Sequence, residues 1–196
     1  MEPNIAFIDE DAFLNCGYYN DSKNWEQGVL YIGNYLIRAK GENESCSVRI
    51  GTQLIAACAF DGCAKLAEII IPNNVMMDYS SFEGTAYYEN EKNWKNECLY
   101  IDNYLVSVKC NEQEYFIESG TTTIAQYVFQ NEQALENIYL PKSISNIGMG
   151  AFRLCNNLAN IYYSGSEEDR SKITIGTSNN PLKNATWHYN YSDSDS

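Results

Sequence analysis

"QALENIYLPKSISNIGMGAFRLC", Gln133 to Cys155, runs directly into "NNLANIYY", Asn156 to Tyr163, and the second stretch begins the first again. Phe129 and Phe152, Leu135 and Leu158, and Ile138 and Ile161 each stand 23 residues apart. "AKLAEIIIPNNVMMDYSSFEGT", Ala64 to Thr85, is the same unit shortened by one residue. Variants occur in "CSVRIGTQLIAACAFDGC" (Cys46 to Cys63) and "YFIESGTTTIAQYVFQNE" (Tyr115 to Glu132), where Gly-Thr replaces the proline. The unit reads Leu-x-x-Ile-x-(Ile/Leu)-Pro, an apolar position, then Ile-x-x-x-Ala-Phe. Around Ile69, Ile138 and Ile161 the apolar residues alternate with period two, and Pro72 and Pro141 end the run, so this half predicts a short strand. One such unit cannot bury its own apolar face. Stacked units can, and a period of roughly 20 to 29 residues with one strand per repeat marks a leucine-rich repeat.

A longer repetition overlies this one. "YYNDSKNWEQGVLYIGNYLIRAK", Tyr18 to Lys40, returns 69 residues later as "YYENEKNWKNECLYIDNYLVSVK", Tyr87 to Lys109. Each copy holds two apolar triplets separated by Gly33-Asn34 or Asp102-Asn103, dipeptides suited to a two-residue hairpin turn. The pattern predicts a β-hairpin inserted between repeats at about 18–40 and 87–109. Leu30, Ile32, Tyr35 and Ile37 would share its core-facing side, as would Leu99, Ile101, Tyr104 and Val106. Trp25 and Trp94 would pin the hairpins by burying an aromatic ring.

With 196 residues, 44% apolar and 20% charged, the chain has the composition of an ordinary globular protein. Its 13 basic and 26 acidic residues leave a formal charge of −13, which argues against nucleic acid, because phosphate-backbone binding needs clustered Lys and Arg. No apolar run approaches the roughly 20 residues of a membrane span, and "MEPNIAFIDEDAF" lacks the layout of a signal peptide. Either the chain works in the cytoplasm or it is a piece of a longer exported protein.

The seven cysteines form no C-x-x-C pair. Cys16, Cys63 and Cys155 each follow an Ala-Phe pair ("AFLNC", "AFDGC", "AFRLC") and read as small buried hydrophobes carrying free thiols. His188 is the single histidine, which leaves a triad or a multi-histidine metal site without partners; it reads as a structural aromatic. Glu167, Glu168 and Asp169 read as a solvated helix N-terminus rather than a cation site. Asp9, Glu10 and Asp11 lack the glycine and distal glutamate of an EF-hand loop. No catalytic residues, metal or cofactor are therefore expected. Four N-x-Ser/Thr sequons start at Asn20, Asn43, Asn184 and Asn190, a number that arises by chance in a chain this rich in asparagine.

"LENIYLPKSISNIGMGAFRLCNNLANIYY" resembles the BspA-like leucine-rich repeats of bacterial surface proteins, and "YYSGSEEDRSKITIGTSNNPLKNATWHYN", Tyr162 to Asn190, resembles the segment that closes such arrays. The likeness extends from about Phe7 to Asn190. It implies a strand-rich, right-handed leucine-rich-repeat solenoid; with the two inserted β-hairpins read above, the expectation is a single domain over 1–190 with a closing segment at about 164–190, and the polar "SDSDS" end predicts a disordered tail at 191–196. It also implies an extracellular or cell-surface location, and a non-enzymatic role in adhesion or interaction with a host or matrix protein. "FIDEDAFLNC" supplies only half a repeat, so the array either continues beyond it or is capped by "MEPNIAF".

If Ile69, Ile138 and Ile161 point inward with Ile71, Leu140 and Tyr163, the residues between them face outward. That row is Ser47, Ile70, Phe116, Tyr139 and Tyr162, and Asn137 and Asn160 lie two residues upstream of the two tyrosines on the same side. These seven residues are the expected partner-binding face. Two readings remain open for the row, exposure to a partner or coverage by a neighbouring loop or crystal mate. Two alternative functions also remain open. Sixteen tyrosines and abundant asparagine suit a carbohydrate-binding module, and a polysaccharide-cleaving solenoid enzyme would need acidic and basic residues clustered on one face.

Overall fold

The computed structural model describes residues 5–192, so the suggested "MEPNIAF" cap falls partly, and residues 193–196 of the expected tail wholly, outside the described residues. Its contacts gather into two compact units, Met1–Asn93 and Trp94–Ser196. Each unit carries the paired strands of one copy of the hairpin pattern followed by short stacked strands, while the start of the second copy, Tyr87 to Asn93, falls in the first unit.

The first unit contains β1 (Trp25–Glu26), β2 (Val29–Ile32), β3 (Tyr35–Ala39), β4 (Ser45–Ser47), β5 (Leu54–Ile55), β6 (Glu68–Ile70) and β7 (Met76–Met77). One sheet has the order β1-β2-β3-β5-β7 and a second pairs β4 with β6. The second unit contains β8 (Trp94–Lys95), β9 (Cys98–Ile101), β10 (Tyr104–Val108), β11 (Glu114–Phe116), β12 (Thr123–Ile124), β13 (Asn137–Leu140), β14 (Asn146–Ile147), β15 (Asn160–Tyr163), β16 (Thr174–Ile175) and β17 (Thr186–Tyr189). Here the sheets are β16-β14-β12-β10-β9-β8 and β11-β13-β15-β17. The helices are single turns: α1 (Gly17–Asn20), α2 (Ala86–Glu89), α3 (Glu167–Arg170) and α4 (Asn180–Asn184).

The two halves of the short repeat therefore feed two different sheets. Its Leu-x-x-Ile half supplies β6, β13 and β15, and its Ile-x-x-x-Ala-Phe half supplies β5, β7, β12, β14 and β16. Consecutive strands in each sheet are parallel, and the 23-residue spacing appears directly as register, with Ile138 opposite Ile161 and Asn146 opposite Thr174 after a longer connection. Between the sheets of the second unit, Leu135, Ile138, Leu140, Ile161 and Phe152 are almost fully buried. Phe129 stacks on Phe152 at 4.9 Å there, as Phe60 stacks on Phe82 at 5.1 Å in the first unit.

Each hairpin begins its sheet. β2 and β3 pair antiparallel, β3 then pairs parallel with β5, and β9, β10 and β12 repeat the arrangement. The hairpin's second strand is thus a rung on which the repeats stack. Its turn takes a positive φ at the first loop residue, 57° at Gly33 and 51° at Asp102, conformations that glycine and aspartate tolerate.

The core-facing side differs from the simple alternation. Leu30 and Ile37 are buried, yet so are Tyr31 and Leu36 from the opposite side, while Ile32 and Tyr35 are half-buried. A register shift leaves Ile37 as an extra residue between Leu36 (opposite Tyr31) and Arg38 (opposite Leu30), and Val106 repeats it. A bulge of this kind turns the strand by one residue, so both faces of the hairpin contribute to the core.

The recurring Lys-Asn-Trp and Leu-Tyr-Ile motifs now have local reasons. Asn24 Nδ2 donates to the Tyr18 carbonyl at 2.9 Å and Asn93 Nδ2 to the Tyr87 carbonyl at 2.8 Å, tying each helical turn to the segment after it. Trp25 is half-buried; its Nε1 donates to the Tyr19 carbonyl at 2.9 Å and Lys40 lies over its ring at 4.0 Å. The tryptophan fastens α1 to the hairpin and keeps much of its ring near the surface. Tyr31 Oη accepts from the Arg49 N–H, and Tyr100 Oη from the Glu118 N–H, both at 3.1 Å. In each unit the hairpin tyrosine thus satisfies a backbone donor in the loop that leaves the next strand.

All seven cysteines are described and all are free. Cys63 and Cys155 are buried, and the Cys155 thiol, which bonds the Phe129 carbonyl at 2.9 Å, is pushed up to about 12 by burial. Cys16 departs from the expectation. It is half-buried because it sits at the start of α1, where its Sγ accepts from the Tyr19 N–H at 3.4 Å.

Candidate partner-binding face

Four parallel strands in strict register build the face. Glu114, Asn137, Asn160 and Thr186 lie opposite one another across β11, β13, β15 and β17; next come Tyr115, Ile138, Ile161 and Trp187, then Phe116, Tyr139, Tyr162 and His188. Side chains alternate along a strand, so the middle set turns inward, where Tyr115, Ile138 and Ile161 are buried, and the outer sets turn outward.

Register then forces the rings together. Phe116 and Tyr139 stack with centroids 4.1 Å apart and planes 7° from parallel, Tyr139 and Tyr162 at 4.7 Å and 10°, and Tyr162 and His188 at 4.6 Å and 14°. The result is one continuous aromatic ladder. Beside it runs an amide row, in which Asn160 Nδ2 donates to Asn137 Oδ1 at 3.0 Å and His188 Nε2 lies 3.0 Å from Asn160 Oδ1. Because an amide oxygen only accepts, His188 carries its proton on Nε2 in this arrangement. Tyr139 Oη donates to Glu114 Oε2 at 3.3 Å. Burial, with the Glu114 carboxylate adding to it, pushes the Tyr139 phenol up to about 12, so the ladder's centre stays neutral at physiological pH.

The expected row of five is divided. Ser47 pairs with Ile70 in the β4–β6 sheet of the first unit, whereas Phe116, Tyr139 and Tyr162 belong to the four-stranded sheet of the second. Ser47 and Ile70 are exposed, Ile70 to 63%, and carry no ring to extend the stack. Phe116 is 45% exposed, while Tyr139, Tyr162, Asn137 and Asn160 are half-buried.

Two members of the site were not anticipated. His188 joins the ladder as its fourth ring; aligning "TWHY" with "NIYY" places it in the column of Tyr162, the signal by which it was legible. Tyr191, assigned by sequence to the tail, is tied down. Its N–H donates to the Tyr163 carbonyl at 3.1 Å, and its ring lies 5.3 Å from both Tyr139 and Tyr162, tilted by 53° and 56°. The Tyr191 ring thus lies over part of the row. A groove of about 640 Å³ opens beside the ladder, walled by Phe116, Tyr139 and Tyr191 and floored by the strand-exit segments 117–119 and 140–143.

The acidic trio at 167–169 forms the first turn of α3. Ser166 and Asp169 cap it reciprocally, and Lys142 lies 3.0 Å from Asp169. The Ser166 N–H, then Lys142, hold the Asp169 carboxyl below the usual range. Among the described residues no group of three or more His, Cys, Asp or Glu side chains is placed to hold a metal ion, and no helix is long and apolar enough to cross a membrane.

The chain matches the BspA type leucine rich repeat region, in six copies, over residues 1–107 and 54–178, and belongs to that family. Among solved structures it is similar to a leucine rich cell surface protein of Faecalibacterium prausnitzii, with 22% identity over 74% of this chain and 40% of that one and a TM-score of 0.32. It is also similar to the leucine rich repeat protein of T. pallidum (18% identity, 80% of each chain, TM-score 0.31) and to the pneumococcal vaccine antigen PcpA (16%, 62% of this chain and 42% of that one, TM-score 0.30). No curated protein matches the chain at a significant level. It spans less than half the length of the first and third of these structures.

Proposed function

We propose that this chain is a non-enzymatic interaction module of an exported, cell-surface protein, and that the ladder face of its second unit binds a protein partner such as a host or matrix protein. The observation that carries the reading is the ring stack itself: Phe116, Tyr139, Tyr162 and His188 held at 4.1 to 4.7 Å on the outward side of a sheet. Tyrosine is favoured at interface centres because it offers much area for little entropic cost. Family membership supports the surface location. In the same reading, residues 1–190 make one right-handed solenoid domain with hairpin insertions at 18–40 and 87–109, closed by 164–190; a single cooperative unfolding transition would support it and two separate transitions would count against it.

Ring geometry favours protein over glycan. Sugars pack their C–H faces on the open face of an aromatic ring, but in this ladder each internal ring gives both faces to its neighbours and offers only edges and hydroxyls. Carbohydrate binding keeps one specific support, Phe116, an end ring of the ladder that is 45% exposed.

The test is the double variant Tyr139→Ala/Tyr162→Ala, assayed against a panel of immobilised matrix and serum proteins and a glycan array. Loss of the stacked contacts should cost stability by about 1 kcal/mol per ring pair and leave the fold intact. Binding to a protein on the panel should weaken at least tenfold. Undiminished protein binding would move the functional surface away from the ladder, and binding to glycans that depends on Phe116 alone would establish the carbohydrate reading.

A further inference from the structure

The Tyr191 ring packs against two rings of the ladder. After β17 the chain turns at Asn190, whose φ is 57°, and the Asn190 and Tyr191 N–H groups bond the Gly165 and Tyr163 carbonyls at 2.9 and 3.1 Å. This fold-back is short and lays one ring obliquely across two ladder rings. The obliquity has a physical cause. The internal faces of Tyr139 and Tyr162 are already stacked, so a further ring can meet only their edges, and an edge presents the positive rim of the aromatic quadrupole to an incoming ring face. The tilts of 53° and 56° lie between parallel stacking and a full edge-to-face arrangement. Phe116, one step along the ladder, stacks on Tyr139 and borders the groove of about 640 Å³ that Tyr191 also walls.

From this geometry we propose that the ladder edge is a docking track for the aromatic side chains of an extended protein segment, and that Tyr191 is a built-in occupant of that track which competes with it. The inference rests on the ladder being the binding face and adds the class of ligand and the means of restraint. An intramolecular occupant on a short tether acts at an effective concentration in the millimolar range. A free aromatic segment of modest affinity therefore binds the intact chain weakly and binds well only when Tyr191 is absent or displaced. The companion groups fit an extended peptide: outward amides at Asn137 and Asn160 beside the rings, and Ser119, Ser143 and Ser164 around the groove.

The experiment uses the full chain, isotopically labelled, titrated in NMR with the tripeptide acetyl-Asn-Tyr-Ser-amide, which copies residues 190–192, and with acetyl-Asn-Ala-Ser-amide. The Tyr191→Ala chain should bind the tyrosine peptide at least tenfold more tightly than wild type, with shifts concentrated at Phe116, Tyr139 and Tyr162. Tyr191→Phe, which keeps the ring, should behave as wild type, and the alanine peptide should bind neither. Unchanged shifts at Ile138 and Ile161 will show that the variant is folded, and adding Tyr139→Ala to Tyr191→Ala should abolish the gain. Equal affinities for wild type and Tyr191→Ala, equal binding of both peptides, or no binding to Tyr191→Ala would each overturn the proposal. Its failure is separable from failure of the broader reading. If the ladder double variant loses its protein partner while Tyr191→Ala changes nothing, the face stands and the competitor does not; if peptide binding follows Tyr191 while partner binding survives the double variant, the track is real and the partner docks elsewhere.

Discussion

Tyr139 concentrates the properties of the face in one side chain. Its ring is stacked on both sides, its hydroxyl donates to Glu114, and its phenol is pushed up from 10.0 to about 12. The folded state therefore holds the phenolic proton more tightly than the unfolded chain. Stability from this group is fully present below pH 10 and is lost as pH rises towards 12, where the unfolded state ionises first. Thermal unfolding of the wild type should accordingly fall more steeply between pH 10 and 12 than that of Tyr139→Phe, which has no proton to lose. Identical slopes would show that other buried tyrosines, such as Tyr115, dominate the alkaline limb.

Among elements, residues 164–190 and the hairpins show how polar groups hold short strands together. Asn179 is buried just before α4, where its Oδ1 accepts from the Phe152 N–H at 2.9 Å and its Nδ2 donates to the Gly148 and Gly176 carbonyls at 2.8 and 2.9 Å. With a longer contact from Nδ2 to the Thr177 carbonyl at 3.4 Å, one side chain thus ties four backbone groups together. Asn179→Ala should cost about 1 to 3 kcal/mol, because the buried Phe152 donor loses its partner; a denaturant midpoint equal to wild type would mean that water replaces the amide at no cost. Trp94 is half-buried rather than deeply inserted, with Lys109 over its ring at 5.1 Å. Trp94→Ala should therefore cost about 2 kcal/mol, below the roughly 3 to 5 typical of a fully buried aromatic. A loss above that range in chemical denaturation would place the ring in the core after all.

Over the whole molecule the dominant quantity is a net charge of −13. Self-repulsion of that size opposes compaction and is screened as salt rises, while exposed ion pairs such as Lys65–Glu42 contribute little to offset it. Raising NaCl from about 10 to 300 mM should lift Tm by about 2 to 4 °C, the equivalent of about 1 kcal/mol in a chain of this size. A fall in Tm would assign more of the stability to surface ion pairs than their exposure suggests.

The sequence by itself determined whatever depends on a fixed spacing along the chain. Residues 23 apart fall into the same column of a parallel sheet, so the pairing of Asn137 with Asn160 and of Tyr139 with Tyr162, and the inward turn of Ile138 and Ile161, were legible from the repeat alone. The hairpin turns at Gly33 and Asp102 were legible because a positive φ is a local demand met by particular residues. Only the tertiary structure decided where the hairpins pair, since β3 with β5 and β10 with β12 are contacts whose partner is chosen by the packed core rather than by neighbours in sequence. It also decided that the expected row of five divides between two sheets, that a bulge at Ile37 and Val106 buries both sides of each hairpin, and that Tyr191 folds back on the ladder. Each of these is set by which groups remain unpaired once the strands have stacked, and that remainder exists only in three dimensions.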